Sequence, residues 1–182
     1  MSEKTYITAQ GLLDDSFRLG LKIMDDGFYP DYIIGVWRGG TPVGIAVQEV
    51  MTYHGHKSDH IAIRTSSYTG IEQQSKEIQV HGLHYIIENV NAEDSLLIVD
   101  DVFDSGRSIE AILDRIKTLS RRNTPETIRV ATVYYKPGKR KVKSVPDYYI
   151  HETEDWLVFP HELNGLTREE VMASKPLALG DK

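Results

Sequence analysis

The sequence predicts an α/β fold with a mainly parallel central sheet flanked by helices. Three observations carry that expectation. Short apolar runs of strand type alternate with longer stretches whose apolar residues recur at helical spacing. Such alternation implies parallel strands joined by right-handed crossovers. Polar clusters then follow three of the runs, at Arg38-Gly39-Gly40, at Asp100-Asp101 and at Lys136-Pro137. Open α/β sheets bind ligands there, beyond the carboxyl ends of the strands.

The elements can be justified in order. Leu12, Leu13, Phe17, Leu19, Leu21, Ile23 and Met24 suit a helix packed on a core, ended by Gly27 and kept from resuming by Pro30. Tyr32–Val36 is a short apolar run of buried-strand type. Arg38-Gly39-Gly40-Thr41-Pro42 then leads into a helical pattern reaching about Tyr53. His60–Ile63 reads as a second strand. Residues 66–80 are polar, contain Gly70 and lack periodicity, so they read as a long loop. Ser95–Asp100 is a third strand, and Ile109, Ile112, Leu113, Ile116 and Leu119 lie at helical spacing after it. Thr127–Tyr135 is a fourth strand and Tyr148–Ile150 a short fifth.

Composition narrows the function classes. A chain of 182 residues can bury a real core, and no repeat or linker divides it, so one domain over 1–182 is expected. The absence of cysteine excludes disulfides, thiolate metal sites and cysteine nucleophiles. The opening residues lack an apolar signal core, and no apolar run approaches the roughly 20 residues of a membrane span. A cytoplasmic protein is the expectation. The net charge of −6 argues against a nucleic-acid partner. The basic run Lys136–Lys143 reads as a solvated loop, with attraction of a small anion as a further reading.

Chemistry concentrates in Leu96–Ser108. Four apolar residues bury the strand, two carboxylates end it, and a short turn leads into an amphipathic helix. Successive backbone N–H groups at such a turn, with a helix N-terminus behind them, form an anion cradle. Gly106 permits a tight bend, Ser105 and Ser108 add hydroxyls, and Arg107 adds charge. Asp100 and Asp101 can accept hydrogen bonds from a diol or hold a hard cation through oxygen. Asp-Asp or Ser-Gly alone is an ordinary strand end and helix cap. Together they describe a site for ribose 5-phosphate.

This segment resembles the thirteen-residue phosphoribosyl pyrophosphate motif of type I phosphoribosyltransferases. The resemblance implies that family's fold, with a core over about 28–136 and a base-recognition hood over about 137–165, partly formed by the chain ends. It implies that Asp104, Ser105, Gly106, Arg107 and Ser108 hold the 5′-phosphate, and that Asp100 and Asp101 face ribose hydroxyls and metal. Gly35–Gly40 resembles the family's pyrophosphate loop, including an unusual non-proline cis peptide, with Arg38, Gly39 and Gly40 meeting pyrophosphate. Thr65-Ser66-Ser67-Tyr68 resembles the opening of its mobile catalytic loop, which implies substrate contact by Ser67 and Tyr68.

The later residues are similar to the 6-oxopurine branch, and to bacterial xanthine-guanine enzymes in particular. The similarity rests on Tyr134–Pro137, Pro146–Glu152 and Asp155–Glu162. It implies that Trp156 stacks on a purine, that Lys136 donates to the exocyclic O6, and that Leu157 packs beside the ring. Asp100 and Asp101 would hold Mg²⁺, and Glu162 would help hold a second Mg²⁺, standing where the family commonly has Asp. Phosphoribosyl pyrophosphate and a 6-oxopurine (xanthine, guanine or hypoxanthine) would be the substrates. Asp104 would carry the catalytic proton in a purine salvage transferase, as a homodimer or homotetramer. Four other readings stay open: a non-catalytic regulator of the same fold, a transferase for another base, a phospho-accepting receiver domain, and a dinucleotide-binding protein. The receiver places its acidic pair after the first strand, and no G-x-G-x-x-G follows that strand here.

Overall fold

A computed structural model describes residues 4–68 and 77–180, with the side chains of Ser67, Tyr68 and Glu77 outside that description. In chain order the elements begin with strand β1 (Lys4–Tyr6), helix α1 (Ala9–Asp25), β2 (Tyr32–Trp37), α2 (Gly40–Tyr53) and β3 (Asp59–Tyr68). They continue with β4 (Glu77–His81), α3 (His84–Asn89), β5 (Ser95–Phe103), α4 (Arg107–Ser120) and β6 (Thr127–Tyr135). The last are β7 (Tyr148–Glu152), β8 (Trp156–Val158) and α5 (Arg168–Ser174). Six strands form the main sheet in the order β4-β3-β2-β5-β6-β7, all parallel except the β3–β4 pair.

β5 shows why the sheet sits where it does. Side chains alternate across a strand. Leu97 and Val99 therefore enter one core, with Leu12, Leu19 and Ile23 of α1 and Val43, Val47 and Met51 of α2. Leu96 and Ile98 enter the other, with Ile86 of α3 and Ile109, Ile112 and Ile116 of α4. All four are fully buried, which explains an apolar run without polar alternation. Fully burying one such side chain is worth roughly 1.5–3 kcal/mol.

Local signals start and stop the helices. Thr8 caps α1 by accepting from the Gly11 N–H at 3.0 Å, and Gly27 at φ +74° follows its end. Asp26, beside that end, pairs with Arg129 and Tyr148 and ties α1 to β6 and β7. Thr167 and Glu170 form a reciprocal capping box at the start of α5.

Three expectations need correction. Residues 66–80 are not one loop, because β3 continues to Tyr68 and pairs antiparallel with β4; residues 69–76 lie outside the described residues. Polar side chains hid this arm, since its ladder is built from backbone groups. β5 does not end at the acids but runs to Phe103, because β6 pairs alongside it as far as Tyr135. β1 and β8 also went unseen. They form a separate parallel pair, with Lys4 opposite Trp156 and Tyr6 opposite Val158, and this pair makes the hood. A strand of three residues is too short for periodicity to reveal.

Candidate active site

The acid pair lies in the second half of β5, where α2 begins against it. Asp101 is only 8 % exposed. Burial, with the Asp101 charge alongside, pushes the Asp100 carboxyl well above its usual range. Burial raises Asp101 as well, against hydrogen bonding from Asp100 and the nearby His161. The close approach of α2 depends on two glycines. A Cβ on Gly39 would run into the Asp101 carboxylate, and one on Gly40 would lie 2.8 Å from Asp100 Cα. The Trp37–Arg38 peptide just before them is cis, as the loop's resemblance implied. Arg38 is exposed.

The turn after β5 is a concave cradle. Asp100, Asp104, Ser105, Gly106 and Ser108 line a recess of about 90 Å³. Gly106 has φ +77°, a left-handed conformation that favours glycine. A Cβ there would also sit 2.6 Å from the Phe103 ring. The first N–H groups of α4 lack helical acceptors, as at any helix start, and carry the positive end of its dipole. Arg107, the first residue of α4, is exposed and does not line the recess. Thr65 of β3 reaches Ser108 Oγ at 3.4 Å, which places β3 beside the cradle.

A second recess, of about 240 Å³, shares a wall with the first. It is lined by Val102, Asp104, Lys136, Trp156, Leu157, Phe159 and Glu162, with Lys139 at its edge. Lys136 is 6 % exposed; burial lowers its pKa, the Lys139 ammonium adds to that, and Asp104 opposes it. Trp156 is half exposed, and its strand neighbour Leu157 is buried in the core. Asp104 and Val102 line both recesses. Asp104 is thus the carboxylate that faces both the anion cradle and the lysine–tryptophan recess.

The structure therefore brings together Asp100, Asp104, Ser105, Gly106 and Ser108, and separately Asp104, Lys136, Trp156, Leu157 and Glu162. Gly39 and Gly40 pack on the acid pair. Glu162 does not join Asp100 and Asp101 in a cluster: among the described residues no three His, Asp or Glu side chains are arranged to hold a metal. One Glu162 oxygen instead accepts from the Phe159 N–H at 3.1 Å, closing its own turn. The expected side-chain contacts of Ser67 and Tyr68 lie outside the described residues.

The basic run keeps Lys139, Lys141 and Lys143 exposed, as a solvated loop would, while its backbone is pinned to the cradle. The Lys141 N–H donates to the Ser105 carbonyl at 2.9 Å, and Val142 packs against Gly106. Arg140 spends its guanidinium on the carbonyls of Val142 and Lys143. Sequence reading missed Phe159 and His161. His161 stacks on Phe159 with centroids 5.8 Å apart and comes within 3.8 Å of Asp101 Oδ2. Nothing in a linear pattern separates these residues from an ordinary apolar strand end.

A parallel α/β sheet with a phosphate-type cradle beyond an acid-bearing strand, plus a separate hood, defines a class. The chain belongs to the phosphoribosyl transferase domain family, which it matches over residues 5–164. It is 32 % identical over 119 residues to a hypoxanthine-guanine phosphoribosyltransferase of Streptococcus pyogenes, an alignment covering 64 % of this chain and 59 % of that protein. A hypoxanthine/guanine phosphoribosyltransferase of Aciduliprofundum boonei is 31 % identical over 109 residues, covering 59 % of this chain and 56 % of that one. The chain thus spans under two thirds of the length of these curated relatives. The crystal structure of a purine phosphoribosyltransferase from Pyrococcus horikoshii Ot3 superposes with a TM-score of 0.73 at 28 % identity, covering 90 % of this chain and 97 % of that one. No helix among the described residues is long and apolar enough to cross a membrane.

Proposed function

We propose that the protein transfers 5-phosphoribosyl from phosphoribosyl pyrophosphate to N9 of a 6-oxopurine, releasing pyrophosphate, as a purine salvage enzyme. The observation that carries this reading is the position of Asp104 on the shared wall of the two recesses. A sugar phosphate in one and a planar base in the other would meet at that wall. The matched family and the purine-acting relatives support the same reading.

Each residue has a task that its surroundings support. The N–H groups and hydroxyls of Ser105–Ser108 bind the 5′-phosphate. Asp100 and Asp101 accept from ribose hydroxyls. Their oxygen-only donor set, buried and crowded with like charge, fits a hard divalent cation such as Mg²⁺. When bound, Mg²⁺ would supply charge neutralisation for the departing pyrophosphate. Glu162, a carboxylate lining the base recess with Asp104, would help hold a second such ion. Arg38 meets the leaving pyrophosphate from the exposed mouth of the loop.

On the base side, Lys136 is a donor only, so it favours an O6 acceptor and disfavours the 6-amino group of adenine. Trp156 offers a π-face to the purine, and Leu157 packs beside the ring. Asp104 exchanges a proton at purine N7 as N9 attacks the anomeric carbon. The β3–β4 arm carrying Ser67 and Tyr68 closes over the site to exclude water from the cation-like sugar.

The test is a base panel with phosphoribosyl pyrophosphate and Mg²⁺. Hypoxanthine, guanine or xanthine yields nucleotide and pyrophosphate, and adenine does not. No turnover of any 6-oxopurine ends this reading.

A further inference from the structure

Two lysines far apart in sequence converge on the segment that forms the base recess. Lys4 of β1 lies 5.3 Å from the centroid of the Trp156 ring. It also binds both oxygens of Glu170 on α5, at 2.7 and 2.9 Å. Lys175, just after α5, donates to the Phe159 carbonyl at 2.7 Å and to the Glu162 carbonyl. These two carbonyls bound a closed turn, in which the Glu162 N–H returns to the Phe159 carbonyl at 3.0 Å and the Phe159 N–H meets the Glu162 carboxylate. Phe159 and Glu162 line the base recess, and His161 between them stacks on Phe159 beside Asp101.

The arrangement is more than surface decoration. Lys4 and Glu170 keep only 22 % and 29 % of their side chains exposed. An ammonium that gives two charge-assisted bonds to one turn fixes both of its ends, and such bonds are roughly twice as strong as neutral ones. An ammonium over an indole face prefers that ring orientation to others. α5 is therefore tied to the hood at both ends, by Glu170 through Lys4 and by Lys175 through the turn. Its capping box and buried Val171 make it a defined element.

We propose that Lys175 and Lys4 are positioning residues for purine recognition: α5 acts as a strap that holds the Phe159–Glu162 turn and the Trp156 ring in the geometry the base requires. The proposal rests on the reading of this recess as the base site. Neither lysine lines the recess or the cradle, so both act through Trp156, Phe159 and Glu162. The cradle that takes the sugar phosphate makes no use of the strap, which separates the two substrates.

The test uses the full chain with Lys175→Met, Lys175→Arg and Lys4→Met, each first checked by circular dichroism and melting. Lys175→Met is expected to raise KM for the purine about tenfold and to leave KM for phosphoribosyl pyrophosphate within about twofold, the loss expected when a charge-assisted contact is removed from one substrate's site. Lys175→Arg restores most of the purine affinity, and Lys4→Met reproduces a smaller purine-side rise with altered tryptophan emission. Equal rises in both KM values, or a lower melting temperature with neither KM changed, would overturn the proposal. If Lys175→Met does not fold, the Lys4→Met comparison decides by the same criterion. If the parent turns over no purine, the reading of the base site falls and the strap's role falls with it. Turnover by the parent without the KM split removes the strap alone.

Discussion

The two recesses meet at Asp104 but are built differently. The cradle is one continuous stretch, Asp100–Ser108, in which a strand, a left-handed glycine and a helix start follow each other. The lysine–tryptophan recess takes Lys136 from the end of β6, Trp156 and Leu157 from β8, and Phe159 and Glu162 from the turn beyond. A contiguous site is determined by local backbone chemistry. A composite one depends on how the hood is held to the sheet. Damage to the cradle should therefore cost stability and phosphate binding together, whereas damage to the recess should cost purine recognition with little loss of fold.

Four substitutions, from the largest expected effect to the smallest, break or sharpen that contrast. Asp104→Asn removes the proposed proton carrier from the shared wall, and kcat should fall by roughly 10²–10⁴-fold while KM for phosphoribosyl pyrophosphate stays within about threefold. Steady-state kinetics that showed equal losses in both would deny Asp104 the proton-transfer role.

Lys136→Met tests the composite side. Loss of a buried donor to O6 should raise KM for a 6-oxopurine about 10–100-fold. Stability should move the other way. Burial lowers the Lys136 pKa below its ordinary value of 10.5. Between the two values the unfolded chain binds more protons than the folded one, so the parent's stability rises with pH through that window. Below it, the buried ammonium carries its full cost. Lys136→Met should therefore be at least as stable as the parent at pH 7, and its relative advantage should shrink at alkaline pH. Denaturant midpoints at both pH values check the sign, and a variant clearly less stable at pH 7 would refute it.

Gly106→Ala tests the contiguous side. The left-handed φ and the Phe103 contact should cost about 1–3 kcal/mol of stability and weaken phosphoribosyl pyrophosphate binding about tenfold. Calorimetry that found no loss would mean that the turn relaxes more easily than its packing implies. Trp156→Ala should be the mildest for the fold. The ring is half exposed, so stability should change by under about 1 kcal/mol, while KM for the purine rises about tenfold. A large drop in melting temperature would make Trp156 a core residue and blur the distinction between the two sites.

The same contrast governs how much could be read from the chain. The strands of the main sheet were legible because burial on both faces leaves continuous apolar runs such as Leu96–Val99. The helices were legible because one-sided packing leaves a period, as in Ile109, Ile112 and Ile116. The β3–β4 arm was not, because Thr65, Ser66 and Gln79 pair through backbone groups that any residue carries. The separate hood pair and the α5 strap were equally silent, since their order comes from partners distant in sequence.

By itself, then, the sequence determined the cradle, the acid pair and the separate strands and helices that carry them, because each depends on neighbours within a few residues. Only the tertiary structure decided that Asp104 serves both recesses, that Glu162 closes its own turn instead of joining the aspartates, and that Lys4 and Lys175 brace the hood. Those facts are set by which surfaces pack together, and chain order does not encode packing directly.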